Sequence, residues 1–165
     1  MRSMFKGHKV GEKAMLLTSS CRSLVSGSDD RSVRIWNVRD GSSKVLPVTG
    51  ESSCFISVEI SPDGRYVTAG NLDGTVWIWD FRTHKLVTKW EGHANGVWCT
   101  KFTPDGHGLM SGGSDKTVKY WDASLLGIRQ GGSMETVMSE ERGFPEILRF
   151  WGHDVCCVLL VSTIF

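Results

Sequence analysis

Much that would place this chain among membrane proteins, nucleic-acid binders or metalloproteins is missing from its sequence. Charge of one sign is absent: 19 Lys and Arg stand against 18 Asp and Glu, a net charge of +1. That balance argues against direct binding to nucleic acid or to an anionic membrane. Cysteines are few, and Cys21, Cys54, Cys99, Cys156 and Cys157 include no CxxC pair. Their odd number and spacing exclude a metal centre or disulfide framework and suit buried thiols in a reducing compartment. No apolar stretch follows the charged start "MRSMFKGHKV", so no secretory signal is expected. The one continuous apolar run, "VCCVLLVSTIF", falls well short of the about 20 residues a membrane-spanning helix needs and reads as a buried strand. Proline is scarce, with four in all, and Pro62 and Pro104 both sit in turn tetrapeptides.

What is present is a period. "RSVRIWN", "GTVWIWD" and "KTVKYWD" share one form, and their last tryptophans, Trp36, Trp79 and Trp121, recur about 42 residues apart, the repeat expected of four-stranded propeller blades. Gly7, Gly50 and Gly92 precede these tryptophans at a constant offset, and His8 and His93 follow the first and third, whereas Glu51 follows Gly50. Asp30, Asp73 and Asp115 lie at a second constant offset, in turns. "SPDG" and "TPDG" add turn signals, with Pro second and Gly fourth.

These signals predict an all-β fold: an incomplete propeller of three four-stranded antiparallel blades plus the first strand of a fourth. The repeats run over about 7–37, 50–80 and 92–122, and Gly152-His153 opens another, so that residues 1–165 form one partial propeller. Strands are expected at Lys13–Leu17, Ser23–Gly27, Val33–Asn37 and Lys44–Val48 in blade one. In blade two they fall at Phe55–Ile60, Tyr66–Ala69, Val76–Asp80 and Leu86–Trp90. Blade three takes Val97–Phe102, Gly108–Ser111, Val118–Asp122 and, after an insertion at 123–146, Ile147–Trp151. The insertion reads as a loop with a short helix around Glu135 to Arg142. Because an arc of blades leaves strand edges and apolar faces unpaired, the chain is expected to be part of a longer protein or a truncated product.

His8, Ser26, Asp30 and Trp36 recur as His93, Ser111, Asp115 and Trp121. A Ser-His-Asp set suggests a hydrolase, but here it occurs twice, its serine lies inside a strand, and a tryptophan N–H shares the strand system and needs a buried partner. The expected role is structural: a hydrogen-bonded chain from turn aspartate to tryptophan, tying outer strands to inner ones. In repeat two the histidine and serine are lost together, to Glu51 and Ala69, while Asp73 and Trp79 remain. That blade is expected to depend more on packing than on a polar network. "GLMSGGSDKT" has no Lys after its second glycine and so is no phosphate loop. No catalytic residue, metal site, cofactor or small-molecule substrate is expected.

The chain resembles the WD-repeat family. More closely, from about Phe5 to Trp151, it resembles the C-terminal propeller of fungal Tup/Groucho-type transcriptional corepressors. The likeness rests on "LVSGSDDRSVRIWNVRDG", then "SVEISPDGRYVTAGNLDGTVWIWD" without its Gly-His, then "GHANGVWCTKFTPDGHGLMSGGSDKTVKYWD", then the insertion. The resemblance implies a nuclear, non-enzymatic scaffold whose partners are DNA-binding repressors, chromatin proteins and a corepressor adaptor. A cytosolic adaptor, such as a ubiquitin-ligase substrate receptor or signalling scaffold, is the alternative. It also implies a partner-binding face bordered by Lys13, Asp29, Ile56, Leu72, Asn95, Trp98, Ser114 and Lys116.

Overall fold

A computed structural model describes residues 5–123, Leu126, Glu135 and Thr136. It contains three antiparallel four-stranded sheets in chain order. Blade one comprises β1 (Glu12–Leu17), β2 (Ser23–Ser28), β3 (Val33–Asn37) and β4 (Ser43–Val45). Blade two comprises β5 (Phe55–Ile60), β6 (Tyr66–Asn71), β7 (Thr75–Asp80) and β8 (Leu86–Glu91). Blade three comprises β9 (Val97–Phe102), β10 (Gly108–Gly113), β11 (Val118–Asp122) and β12 (Glu135–Thr136). No helix occurs within 5–123.

Alternation along each strand decides which blade a side chain meets. On β7, Trp77 and Trp79 join Val25, Val33, Ile35 and Leu46 of blade one in one core. Val76 and Ile78, on the other face, join Val97, Phe102, Leu109 and Trp121 of blade three in a second. Blade two is therefore sandwiched, which explains why "TVWIW" is buried throughout and shows no alternation in polarity. The repeated tryptophan faces the preceding blade. Trp121 stacks on Trp90 of blade two with centroids 5.2 Å apart, and Trp36 is covered by Phe5, edge-on at 5.9 Å.

Turn chemistry sets the hairpins. In "SPDG" the Gly64 N–H donates to the Ser61 carbonyl at 2.8 Å with Gly64 at φ +72°. The "TPDG" turn repeats this at Gly106, φ +73°. Blade one has the same turn in a form the sequence conceals: Cys21 donates to Thr18 at 2.8 Å and takes the left-handed place, φ +53°, with neither Pro nor Gly to announce it.

Several expectations need correction. Cys21 is exposed, and Cys54 and Cys99 are half-buried rather than buried, because each lies in a turn or near the blade edge instead of in a core. β4 stops at Val45, since Pro47 has no N–H to continue the ladder after the Leu46 N–H reaches the Val33 carbonyl. Glu135 and Thr136 pair with Trp121 and Tyr120 as the fourth strand of blade three, so no helix begins there. The segments Ile147–Trp151 and Gly152-His153, and with them the strand of a fourth repeat, lie outside the described residues.

Candidate partner-binding face

Antiparallel strands send the β2–β3, β6–β7 and β10–β11 turns to the same end of the blades as the loops that enter β1, β5 and β9. That end carries both polar sets. In blade three, the Trp121 indole N–H donates to Ser111 Oγ at 2.7 Å, and Ser111 Oγ lies 2.7 Å from His93 Nε2. Tryptophan can only donate, so the serine accepts there and gives its own proton to Nε2. Nδ1–H is left to point at the Asp115 carboxylate, 3.0 Å away. The carboxylate also accepts from the Ala94 and Thr117 N–H groups and the Thr117 hydroxyl.

Blade one repeats the chain: Trp36 to Ser26 at 2.7 Å, Ser26 to His8 at 2.7 Å and His8 to Asp30 at 2.9 Å, with Lys9 N–H and Ser32 completing the carboxylate shell. Burial alone pushes both carboxyls upward, but the donors around them outweigh it. Asp115 is held at about 2, chiefly by His93 and Thr117. Asp30 is held well below the usual carboxylate range by Ser32, the Lys9 N–H and His8. Ser111 and His93 are 1% and 6% exposed, so no substrate reaches this serine, whose proton is already committed. The chain of bonds joins entry loop, turn, second strand and third strand. It does not extend to the outer strand, contrary to expectation, because Trp36 and Trp121 sit on the third.

Blade two lacks the relay and keeps a smaller polar set of its own beside its packing. The Thr75 hydroxyl donates to Asp73 at 2.5 Å and accepts from the Trp77 indole at 2.8 Å. Trp79 turns to the preceding blade and donates to the Pro47 carbonyl at 2.7 Å. The signal for this was the extra tryptophan in "WIW", Trp77, at the place held by Arg34 and Lys119 in the other repeats.

The inner strands reveal why Lys13, Ile56 and Trp98 border this end. In the ladders Glu12 pairs with Ser28 but Ala14 with Gly27, Phe55 with Asn71 but Ser57 with Gly70, and Val97 with Gly113 but Cys99 with Gly112. All three blades thus carry a β-bulge at the same step, and the extra residue is Lys13, Ile56 or Trp98. A bulge re-aims the side chain it adds. Each extra residue is matched by the one just before the turn aspartate: Lys13 Nζ is 3.0 Å from Asp29 Oδ2, and the Trp98 indole donates to Ser114. Leu72 holds the matching place in blade two, 43% exposed, and a Cβ on Gly96 would sit 2.8 Å from it. Trp98 is 51% exposed. Asn95 and Lys116 are exposed at the same end, Lys116 with φ +65°. Across three blades the chemistry passes from ionic to aliphatic to aromatic. Among the described residues no cluster of His, Cys, Asp and Glu could hold a metal ion, and no helix is long and apolar enough to cross a membrane.

A family model for the WD domain, G-beta repeat, matches residues 1–37, 43–80 and 84–122. The chain belongs to the WD-repeat family. Such repeats generally build protein-interaction scaffolds without enzymatic activity. Among solved structures this WD-repeat chain is similar to the crystal structure of RRP9 WD40 repeats, with a TM-score of 0.69 and 27% identity over 73% of this chain and 38% of that one. It is 38% identical over 68 residues to transcription initiation factor TFIID subunit 5 of Caenorhabditis elegans, covering 41% of this chain and 10% of the relative. It is 37% identical over 82 residues to the guanine nucleotide-binding protein subunit beta of Oryza sativa subsp. indica, covering 48% of this chain and 22% of the relative. The match thus spans about a tenth to a fifth of these relatives' own length.

Proposed function

We propose that this WD-repeat chain supplies part of a nuclear scaffold, in the manner of a corepressor propeller, and that its bulge-bearing end receives the partner. The observation that carries this reading is Trp98, half-exposed yet held in one orientation by its bond to Ser114. A large, pre-oriented aromatic surface loses little entropy on binding and is the usual form of an interface hot spot. Exposed Leu72 over Gly96, two residues away, extends the apolar area, and Lys13, Asp29, Asn95 and Lys116 form a polar rim. The partners are DNA-binding repressors, chromatin proteins and an adaptor. The order of full repeat, altered repeat, full repeat and insertion supports the corepressor reading, and the likeness to a transcription initiation factor subunit supports a nuclear setting. The likeness to a G-protein subunit favours the second reading, a cytosolic adaptor.

Proximity labelling in cells with the tagged full chain and its Trp98→Ala variant separates the two. The expected result is labelling of nuclear DNA-binding repressors that disappears in the variant, and a purified recovered partner should lose affinity by about tenfold or more. A cytosolic set of partners, or labelling indifferent to Trp98, overturns the proposal.

A further inference from the structure

The opposite end of the blades carries a second feature that the partner-binding face does not explain. There the β1–β2, β3–β4 and β7–β8 hairpins of blades one and two enclose a cleft of about 780 Å³. Its floor is apolar, made of Ile35, Trp36, Val38 and Phe81. Its walls carry Arg22 from the first hairpin, Arg39 and Lys44 from the second, and Arg82 and His84 from the third, and no Asp or Glu lines it. All four of Arg22, Arg39, Lys44 and Arg82 are exposed. None forms an ion pair or a side-chain hydrogen bond among the described residues.

The nearby carboxylates are turned away to their own hairpins. Asp40 accepts from the N–H and hydroxyl of Ser42 and from the Asn37 amide. Asp80 accepts from the N–H groups of Arg82 and Thr83. Four cations therefore surround one concavity without a direct ion pair, with Asp40 beside Arg39 and Asp80 near His84 offsetting them only in part, inside a chain whose net charge is only +1. Such local excess is unfavourable by self-repulsion and becomes favourable when an anionic group enters.

We infer that this cleft is a docking site for an Asp/Glu-rich peptide segment of a partner protein, with an apolar side chain seated on the Ile35–Phe81 floor and carboxylates held by Arg22, Arg39, Lys44 and Arg82. The combination selects peptide over nucleic acid. A nucleic-acid surface is a basic stripe on a strongly basic domain, whereas here the cations cluster locally around one cleft on a chain with a near-neutral balance and a pI of 7.7. The volume lies within the about 300 to 1,000 Å³ typical of ligand clefts, room for one side chain and its neighbouring acidic groups. Arginine forks hold carboxylate and phosphate in two-point contact, giving orientation as well as attraction.

The test is fluorescence anisotropy with the full chain and three labelled probes: an eight-residue Asp/Glu-rich peptide containing one Leu, the same peptide with Lys for each acid, and a single-stranded oligonucleotide of equal charge. The acidic peptide should bind, weaken as salt rises, and lose about tenfold or more in affinity to the Arg39→Glu/Arg82→Glu pair. The milder Lys44→Gln should lose less, and Trp98→Ala nothing, which separates this site from the other face. All four positions are exposed, and thermal melting of each variant verifies that its fold is retained. Equal binding of the basic peptide, preference for the oligonucleotide, no binding at low salt, or full affinity in the charge-reversed pair each overturns the inference.

Discussion

Replacing Ser111 by Ala tests whether the buried relay stabilises blade three. The substitution removes one oxygen and leaves almost no cavity, so packing is nearly unchanged. It deletes the acceptor of the Trp121 indole and the donor to His93 Nε2, both at 2.7 Å. Trp121 is 2% and His93 6% exposed, so water does not replace the lost partner. An unsatisfied buried polar group costs about 1 to 3 kcal/mol, and two of them give about 2 to 6 kcal/mol, a large fraction of the stability of an ordinary domain. Urea unfolding of the full chain, followed by far-ultraviolet circular dichroism at unchanged slope, measures the loss. Ser19→Ala, at an exposed turn position, is the control. His93→Ala combined with Ser111→Ala should fall short of the sum of the single losses, because each orphans the other's partner. A loss under about 0.5 kcal/mol, or full additivity, would refute the relay as a stabilising unit.

Four further outcomes are expected. Because Asp115 is held at about 2 against a usual 3.8, its contribution is present above about pH 4 and drains away as pH falls toward 2. Acid titration of stability should therefore lose slope in that window in Asp115→Asn. Gly74→Ala should destabilise blade two by about 1 to 3 kcal/mol, since Gly74 stands at φ +91° and a Cβ would lie 2.2 Å from the His93 carbonyl oxygen; denaturant unfolding reads this. Restoring the repeat's serine with Ala69→Ser should weaken blade two rather than strengthen it, because Trp79 already donates to Pro47, whereas Glu51→Ala, at an exposed position, should be near neutral by the same measurement.

The sequence by itself determined the blades. The first three strands of each blade, their order and the antiparallel pairing follow from local signals, namely the recurring Trp, the Gly-His offsets and the turn tetrapeptides, because a hairpin is specified by residues close together in the chain, whereas the outer strand of blade three, at Glu135–Thr136, was not legible in the inserted segment. The polar sets of blades one and three were legible for the same reason: one periodic unit supplies all four members. Only the tertiary structure decided what depends on a neighbouring blade or on an exact register. The bulges that turn Lys13, Ile56 and Trp98 outward are invisible in composition, since a single unpaired residue leaves no periodic trace. The redirected indole of Trp79 requires the Pro47 carbonyl of another repeat. The basic cleft gathers Arg22, Arg39, Lys44 and Arg82 from three hairpins of two blades, and no spacing along the chain announces it. Local chemistry shapes the hairpins, but proximity between distant segments is created only when one blade buries its apolar face against the next.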